Sequence, residues 1–481
     1  MKLDQLLEGV ALTESAVSRD VQITSVSYDT RTLEPGALFV ALTGYKTDGH
    51  RHIAEALEKG AAAVLCQKAP KGEGPWLVCP DTRAALAAVS ANWFSHPGRE
   101  LTLLAVTGTN GKTTTTYLLK EVLERCAGAK VGLIGTNRNL IGEEELPAGR
   151  TTPESWELQQ LLRRMADAGC THAVMEVSSH ALVLHRVDGL RFAAGIFTNL
   201  TPDHLDFHKT MEAYREAKGR LFSQTDLAVL NLDDEAGRYF HETVACPQWT
   251  YSENKDEAGL TAKNIRLFPD RVEFEAVTLD GISRVRLPIP GGFSIYNALG
   301  VLACTQGLGL PLNAAAEALA HVNGVKGRVE VVPTPAPYTV IIDYAHTPDA
   351  LENILTTVRD LAENRVVCLF GCGGDRDRSK RPVMGAIAAD LADFVVVTSD
   401  NPRTERPQAI IDDIRKGMEG TRTPYVVEPD RRAAIRTALS LGQPGDVIVL
   451  AGKGHETYQE VNGVKTHLDE REEIRDFFAK V

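Results

Sequence analysis

The segment that most constrains the fold is the octet TGTNGKTT, residues 107–114. It follows the apolar run LTLLAV and precedes YLLKEVLERC, so the sequence predicts a strand, a glycine turn and the start of a helix. Gly108 and Gly111 allow backbone N–H groups to turn toward a phosphate. Lys112 can reach the terminal phosphates, and Thr113 can ligate Mg²⁺. The spacing is shorter than in the usual phosphate loop, so a glycine turn that merely ends a strand is the alternative.

Composition excludes several classes of protein. The 481 residues include 52 basic and 64 acidic side chains, and the net charge of −12 argues against a general nucleic-acid or membrane-surface binder. The eight cysteines are scattered without C-x-x-C spacing, which indicates reduced, partly buried thiols. No stretch of about 18 apolar residues occurs, so we expect no membrane insertion and a cytoplasmic protein.

Two changes in the pattern divide the chain into three predicted domains, residues 1–98, 99–332 and 333–481. Pro97 and Gly98 mark the first boundary, and the three prolines of VVPTPAPY mark the second. Strand and helix signals alternate in the second and third parts, which predicts parallel sheets covered by helices. The expected fold class is α/β, with a central phosphate-loop domain of the ATPase type and a Rossmann-like C-terminal domain.

Polar residues follow two of the predicted strands of the central domain, at the sheet edge where ligands bind. Glu176 ends the strand THAVM, and its oxygens with those of Thr113 suit Mg²⁺. A solvated carboxylate at a strand end is the alternative for Glu176. The segment NLTPDHLDFH follows the next strand and contributes a polar cluster: Asn199, Asp203, His204, Asp206 and His208.

Lys218 lies in the predicted helix MEAYREAKGRLF, on one face with Tyr214 and Leu221. From the residues alone, it is either a lysine that snorkels from this face or a partly buried lysine with a lowered pKa. A neutral amine can react with CO₂ to form a carbamate, which offers oxygens to a metal ion.

Read in order, these motifs resemble the Mur ligase family of peptidoglycan precursor synthesis. The resemblance spans essentially the full chain and rests on TGTNGKTT, TTP at 151–153, EVSSHAL, FTNLTPDHLDFH, YREAKGRLF, GRVE at 327–330, IIDYAHTPDAL and FGCGGDRDRSKR. It implies three domains that bind, in order, a UDP-sugar substrate, ATP and the incoming amino acid.

The resemblance also implies ATP and Mg²⁺ and assigns residues to them. The ATP-binding positions are Gly108, Thr109, Asn110, Gly111, Lys112, Thr113, Thr114, Asn297, Arg328 and Asp343. The metal positions are Thr113, Glu176, His204 and Lys218, the last as a carbamylated lysine. The catalytic set is Lys112, Lys218, His204 and Glu176.

In the first domain, DTR at 29–31 and GYKTDGHRHI resemble the uridine-nucleotide segment of the family. The implied contacts to the UDP-substrate are Thr30, Tyr45, Lys46, Thr47, Thr151, Thr152, Ser178 and Arg186. Three positions depart from family patterns: Leu184 stands where some members have a glutamine, Arg150 replaces a common asparagine, and Ser294 replaces the first asparagine of an N-x-x-N pair.

The run Asp400-Asn401-Pro402-Arg403 resembles the selecting motif of the family member that adds meso-diaminopimelate. Diaminopimelate carries one more carboxylate than lysine, and a guanidinium binds a carboxylate through two parallel hydrogen bonds. Arg403 is therefore the expected discriminator, with Arg376 as a second cation. Glu456 and the Gly452 carbonyl are expected at the ammonium.

The reaction implied by the resemblance is ATP-dependent amide formation through an acyl phosphate. The acceptor is UDP-N-acetylmuramoyl-L-alanyl-D-glutamate (UDP-MurNAc-L-Ala-D-Glu), and the enzyme is expected to be a monomer whose third domain rotates about the region of Arg328. Alternatives are addition of L-lysine, addition of a dipeptide at the next step, a folylpolyglutamate synthase-like ligase, and a nucleotide-gated binding protein without turnover.

Overall fold

The computed structural model describes residues 1–44, 47–268, 270–322 and 324–479, with the backbone alone at residues 360 and 361. Within these ranges the main sheets are one of five, one of eleven and one of six strands, and parallel pairs predominate at the centre of each. This architecture confirms the predicted α/β class. No helix in the described ranges is both long and apolar enough to cross a membrane.

The N-terminal sheet has the strand order β1-β5-β4-β3-β2, in which only β1 is antiparallel to its neighbour. Its core lies between this sheet and helices α1 and α3 on one face and α2 on the other. The elements are α1 Leu3–Leu6, β1 Glu14–Ser15, β2 Val26–Ser27, β3 Leu38–Val40, α2 Ile53–Glu58, β4 Ala63–Cys66, β5 Trp76–Val78 and α3 Thr82–Trp93.

The central sheet has the order β16-β15-β14-β13-β12-β11-β6-β10-β7-β8-β9. Strands from β14 to β7 along this order are parallel, and antiparallel strands extend the sheet at both ends. The first elements are β6 Thr102–Thr107, α4 Lys112–Ala127, β7 Val131–Ile134, β8 Asn139–Ile141, β9 Glu144–Leu146, α5 Ser155–Asp167, β10 His172–Glu176, α6 Ser179–Val183, β11 Ala194–Phe197, α7 Leu205–His208 and α8 Met211–Gly219. They are followed by β12 Ala228–Asn231, α9 Glu235–Thr243, β13 Gln248–Ser252, β14 Leu260–Phe268, β15 Arg271–Thr278, β16 Gly281–Leu287, α10 Gly292–Gly307 and α11 Leu312–Leu319.

The third sheet has the order β17-β18-β22-β19-β20-β21, with only β17 antiparallel. The elements are β17 Glu330–Val332, β18 Thr339–Asp343, α12 Pro348–Leu361, β19 Val366–Phe370, α13 Lys380–Leu391, β20 Phe394–Val397, α14 Pro407–Lys416, β21 Tyr425–Val427, α15 Arg431–Leu441, β22 Val447–Ala451, β23 Tyr458–Val461, β24 Val464–His467 and α16 Glu470–Phe478. Because β17 pairs with β18, the chain joins this sheet just before the proline-rich segment that marked the predicted boundary.

The central strands are apolar on both faces, as expected for a parallel sheet covered by helices. β6 and β10 contribute to two separate cores: one with α4, α10 and α11, and the other with α5 and the segment after α6. The carboxyl ends of β6, β10 and β11 therefore reach one edge of the sheet together. Cys368 and Cys372 are buried in the core of the third domain.

Candidate active site

The octet forms the predicted strand, turn and helix. β6 ends at Thr107 and α4 begins at Lys112, so the turn between them lies at the carboxyl edge of the sheet. Gly108 and Gly111 have φ of +147° and +83°, values at which the backbone of any residue with a side chain would be strained. A Cβ on Gly108 would lie 1.8 Å from Thr198 Oγ1, and one on Gly111 would lie 2.4 Å from Asn297 Oδ1. Glycine is therefore required at both positions by conformation and by space.

The turn is held from outside by the segment that follows β11. The backbone N–H of Asn110 donates to Asn199 Oδ1 at 2.8 Å, and Thr198 Oγ1 donates to the Asn110 carbonyl at 2.6 Å. Lys112 Nζ folds over the turn and donates to the carbonyls of Gly108 and Thr109 at 2.9 and 2.8 Å. The loop is thus preorganised, and the Lys112 ammonium is held against its carbonyls.

Glu176 is buried beside the loop instead of being solvated. Its Oε1 accepts from Thr113 Oγ1 at 2.9 Å and from the Thr136 N–H at 2.8 Å, while its Oε2 accepts from Thr136 Oγ1 at 2.9 Å. Thr113 and Glu176, which the sequence paired as metal ligands, are therefore in direct contact. Thr136 was missed, although it follows the end of β7 at the same edge of the sheet.

Lys218 does not snorkel to solvent. It is 1% exposed, its Nζ donates to the Gly108 carbonyl at 2.7 Å, and the ammonium lies 4.5 Å from the centre of the Tyr214 ring. Burial lowers the pKa of Lys218 well below its ordinary value, and the Lys112 ammonium lowers it further. No carboxylate among the described residues forms an ion pair with Lys218. A neutral amine is the form that this environment favours, and it is also the form that reacts with CO₂.

The donors around the loop fit a magnesium site in part. Thr113 and Glu176 supply hydroxyl and carboxylate oxygens, which Mg²⁺ prefers. The amine of Lys218 offers no oxygen unless it is carbamylated. Within the described residues, no group of three or more His, Cys, Asp or Glu side chains is arranged to hold a metal. Thr113 and Glu176 are thus the two oxygen donors that the structure brings together at the loop.

The polar cluster after β11 separates in the structure. Asp203, His204 and Asp206 face a cavity between the central and third domains, and His204 has φ of +54°. His208 is buried, and its Nε2 lies 2.9 Å from Ser179 Oγ. The cluster therefore contributes to three places: the loop, through Asn199, the interdomain cavity and the core.

A first cavity of about 400 Å³ lies at the phosphate loop, between the central and third domains. It includes six of the residues predicted to bind ATP and several that the sequence did not indicate. The predicted ones are Asn110, Gly111, Thr114, Asn297, Arg328 and Asp343, and the others include Phe293, Tyr296, Asp349 and Asn353. Its volume falls in the range of small-molecule sites. The phosphate loop and the third domain thus share one pocket.

The chain enters the third domain through a strained turn. Val329 has φ of +44°, a rare conformation for a β-branched residue, and its N–H donates to Asp343 Oδ2 at 2.7 Å. Burial raises the pKa of Asp343 despite the nearby Arg328 guanidinium. The Arg328 guanidinium lies 4.8 Å from the centre of the Tyr344 ring. Asp343 and Arg328, predicted to reach ATP, are therefore also parts of the interdomain connection.

A second cavity of about 900 Å³ brings the predicted amino-acid residues together with the segment after β11. It is lined by Asp203, His204, Tyr344, His346, Arg376, Asp400, Asn401, Arg403, Gly452 and Glu456. Pro402 is buried in its loop. Arg403, with φ of +51°, donates from Nη1 to the Gly374 carbonyl at 2.8 Å, and its Nε lies 3.6 Å from Glu460 Oε2. Two guanidinium groups, an acidic cluster and His204 thus face one space.

The residues predicted at the UDP-substrate fall into two groups. Thr152 Oγ1 donates to the Glu176 carbonyl at 2.9 Å and lies 3.3 Å from Ser178 Oγ, while Arg186 Nη1 donates to the Thr152 carbonyl at 3.0 Å. Thr151 lies beside them, with its Oγ1 3.0 Å from Thr136 Oγ1.

The second group lies in the N-terminal domain. The carbonyl of Thr30, a buried residue, accepts from Lys59 Nζ at 2.8 Å, and Thr47 is exposed. Tyr45 and Lys46 lie outside the described residues. Within the described ranges, no hydrogen bond joins Thr30 or Thr47 to the group around Thr152.

Glu154 connects the first two domains and was not indicated by the sequence. It is 6% exposed, and its Oε2 accepts from Arg83 Nη1 of the N-terminal domain at 2.9 Å. Its Oε1 pairs with Arg186 and lies 3.7 Å from Arg150 Nη1. A second contact crosses the same interface, from Tyr28 OH to Glu157 Oε1 at 2.7 Å. Arg150, the departure from the family pattern, is thus one of three arginines around a single carboxylate.

Family profiles match all three parts of the chain. The profile "Mur ligase family, catalytic domain" matches residues 22–93, "Mur ligase middle domain" matches residues 106–305, and "Mur ligase, glutamate ligase domain" matches residues 327–454. The chain belongs to the Mur ligase family.

Relatives within the Mur ligase family align over the whole length. The chain is 43% identical over 486 residues, with all of both chains covered, to the UDP-N-acetylmuramoyl-L-alanyl-D-glutamate--2,6-diaminopimelate ligase of Clostridioides difficile (strain 630). It is 46% identical to the protein of the same name from Caldanaerobacter subterraneus subsp. tengcongensis, with 100% of this chain and 99% of the relative covered. A solved Mur ligase structure, also a UDP-N-acetylmuramoyl-L-alanyl-D-glutamate--2,6-diaminopimelate ligase, is 34% identical with a TM-score of 0.71, covering 100% of this chain and 99% of the other.

Proposed function

We propose that the protein is the ATP-dependent ligase that adds meso-2,6-diaminopimelate to UDP-MurNAc-L-Ala-D-Glu in peptidoglycan precursor synthesis. The observation that carries the proposal is the second cavity. It combines Arg376 and Arg403 with Glu456 and opens toward the segment of His204. Two guanidinium groups and a carboxylate suit an amino acid with an additional carboxylate. The protein acts in the cytoplasm as a monomer.

The reaction proceeds in two steps. The γ-carboxylate of the D-glutamyl residue attacks the γ-phosphate of ATP and forms an acyl phosphate, with release of ADP. The amine of diaminopimelate then attacks the acyl carbon, and phosphate leaves. Both steps bring anions together or develop charge, so the preorganised N–H groups of the loop and Lys112 stabilise the transferring phosphoryl group.

Mg²⁺ is the proposed cofactor, and its chemistry is to neutralise negative charge on the ATP phosphates. Thr113, Glu176, His204 and Lys218, the last as a carbamate, are the proposed residues around it. The burial of Lys218 beside the loop, without a carboxylate partner among the described residues, supports the carbamate. The hydrogen bonds of Thr136 fix the Glu176 carboxylate in its orientation toward Thr113.

The UDP-substrate is proposed to bind where the N-terminal and central domains meet, at Thr30, Tyr45, Lys46, Thr47, Thr151, Thr152, Ser178 and Arg186. The group around Thr152 lies beside Glu176, and this supports a binding mode in which one end of the substrate lies close to the phosphate loop. The proposed three domains are residues 1–98, 99–332 and 333–481.

The deciding experiment measures ADP release with ATP, Mg²⁺ and UDP-MurNAc-L-Ala-D-Glu, with meso-diaminopimelate or L-lysine as the amino acid. We expect strong preference for diaminopimelate in the wild type and loss of that preference in Arg403→Ala. Arg406→Ala is the control, because this arginine is exposed and lies further along the same loop. Preference for lysine would change the proposed substrate from diaminopimelate to lysine but leave the proposed ligase activity in place. Turnover with neither amino acid would reject the proposal and favour the dipeptide or folate alternatives.

A further inference from the structure

Lys453 is a fully buried cation at the end of β22. Its side chain is 0% exposed, and the sequence had not assigned it any role. Its Nζ donates to Asn401 Oδ1 at 2.5 Å, to Glu456 Oε2 at 3.1 Å and to the Tyr458 carbonyl at 2.8 Å. These three bonds use all three donors of an ammonium group.

The partners of Lys453 are residues of the second cavity. Asn401 and Glu456 both line it, and Asp400 Oδ1, another lining group, lies 3.2 Å from Lys453 Nζ. Lys453 itself is not among the lining residues of that cavity. It therefore lies behind three side chains that face the proposed amino-acid substrate.

The ammonium fixes the orientation of the Asn401 amide. Asn401 Oδ1 accepts from Lys453 Nζ and from the Glu460 N–H at 2.9 Å, so both bonds select the oxygen end. The amide nitrogen must then point the other way, and Nδ2 donates to Glu456 Oε2 at 2.9 Å. Glu456 Oε2 is held by two donors, which leaves Oε1 for a substrate ammonium.

The charges around Asp400 support the same arrangement of side chains. Burial by itself would raise the pKa of Asp400, but the Lys453 ammonium and the Arg431 guanidinium outweigh it and lower that pKa. Without Lys453, the carboxylates of Asp400 and Glu456 would lose the cation that both of them contact. The two acidic side chains would then move apart or take up a proton. In either case the arrangement of hydrogen bonds seen here would be lost.

We propose that Lys453 is a positioning residue that sets the amino-acid specificity site by orienting Asn401 and Glu456. The inference rests on the proposed function, because it concerns the same amino-acid site. Lys453 acts through its neighbours and does not touch the substrate. Its loss therefore affects binding of the amino acid and leaves the earlier phosphoryl transfer intact.

The test uses the full-length enzyme and Lys453→Met, which keeps the length of the side chain and removes its charge. We expect the KM for diaminopimelate to rise by about 10- to 100-fold, the size of a lost hydrogen bond to a charged group. The KM values for ATP and UDP-MurNAc-L-Ala-D-Glu should change less than about twofold, and acyl phosphate formed without amino acid, trapped with hydroxylamine, should be unchanged.

A double-mutant cycle distinguishes positioning from a general structural effect. If Lys453 acts through Asn401, the effects of Lys453→Met and Asn401→Ala on the diaminopimelate KM will be clearly less than multiplicative. Arg365→Met is the stability control, because Arg365 pairs with Asp446 at the opposite end of β22. It should lower Tm without changing the diaminopimelate KM.

Lys453→Gln provides a second variant in case the methionine variant does not fold. It keeps a polar group for Asn401 and the Tyr458 carbonyl but loses the charge, and we expect an increase in the diaminopimelate KM of several-fold. Equal increases in all three KM values, an unchanged diaminopimelate KM in a folded variant, or multiplicative effects in the cycle would each overturn the inference. A wild-type enzyme that does not use diaminopimelate would instead refute the proposed function, which is measured first.

Discussion

Asn110 of the phosphate loop donates a 2.6 Å hydrogen bond from Nδ2 to Asp349 Oδ2 of the third domain. Thr201 Oγ1 donates to the same oxygen at 3.1 Å, so two side chains of the central domain hold one carboxylate of α12. Asp349 also lines the first cavity, beside Gly111. The contact therefore places a negative charge next to the loop that is proposed to bind the ATP phosphates.

Removing this charge should strengthen ATP binding. We expect Asp349→Asn to lower the Kd for a non-hydrolysable ATP analogue by roughly threefold to tenfold at low salt. The reason is that the repulsion between the Asp349 carboxylate and the phosphates, screened by water, is worth about 1 kcal/mol. The gain should shrink as ionic strength rises. Titration calorimetry measures both, with Glu352→Gln, an exposed residue of the same helix, as the control. Weaker binding in Asp349→Asn would show that the carboxylate contacts the nucleotide favourably.

Lys218 should carry a carbamate in enzyme equilibrated with CO₂. The amine is buried and its pKa is lowered, which favours the reactive neutral form. Enzyme exposed to ¹³CO₂ should show one carbamate ¹³C resonance that is absent in Lys218→Ala. Short carboxylic acids should restore part of the activity of that variant, because they supply the missing oxygens. An unmodified lysine in fully active enzyme would contradict the metal role.

Lys218 should also destabilise the unmodified fold in a pH-dependent way. Its folded-state pKa is lowered, so between that pKa and about 10.4 the unfolded chain binds more protons, and this contribution to stability rises with pH. In CO₂-free buffer, Lys218→Met should therefore have a higher Tm than the wild type at pH 7, with a smaller difference at pH 9.5. Lys209→Met, at an exposed position, is the matched control. A difference that grows with pH would have the wrong sign.

Glu154 should hold the first two domains together. Glu154→Gln leaves Arg83 and Arg186, both largely buried, without their carboxylate, and should lower the free energy of unfolding by about 3 kcal/mol. The KM for the UDP-substrate should rise as well, because Arg186 loses its orientation. Glu144→Gln, which breaks an exposed pair with Arg164, should cost less than about 1 kcal/mol. Similar losses in the two variants in urea denaturation would contradict the interdomain role.

The third domain should rotate when both substrates of the first step bind. The turn at Gly327 and Val329, with φ of +71° and +44°, is the proposed hinge, and Asp343 holds it through the Val329 N–H. X-ray scattering should show a smaller radius of gyration with a non-hydrolysable ATP analogue plus UDP-substrate than with UDP-substrate alone. One envelope under both conditions would count against the rotation.

The central part of the site was predictable because its geometry is local. A strand followed by TGTNGKTT and a helix fixes the backbone of the loop, and glycine is required by φ at two of its positions. Strand-end positions also predicted that Glu176 lies beside Thr113, since parallel strands end at one edge. The DNPR run and Glu456 were predicted together by resemblance, and Asp400, Asn401, Arg403 and Glu456 do line one cavity.

Other contacts depend on chain segments that are far apart in sequence. Nothing near Lys453 in the sequence shows that its ammonium reaches Asn401, and nothing near Glu154 shows that Arg83 of another domain approaches it. The burial of Lys218 was likewise undecided, because helical spacing alone allows both a snorkelling and a buried lysine. In each case the side chain's environment comes from elements packed against it, not from its own neighbours along the chain.

The sequence by itself determined the α/β class, the phosphate loop and the residue types available for chemistry, because these follow from periodicity, glycine conformation and short motifs. Only the tertiary structure decided which of those residues meet. It buried Lys218 against Gly108, joined the phosphate loop to Asp349, and placed Lys453 behind the amino-acid cavity. The physical reason is that burial and long-range hydrogen bonds are set by the packing of domains, and no local pattern in the chain encodes them.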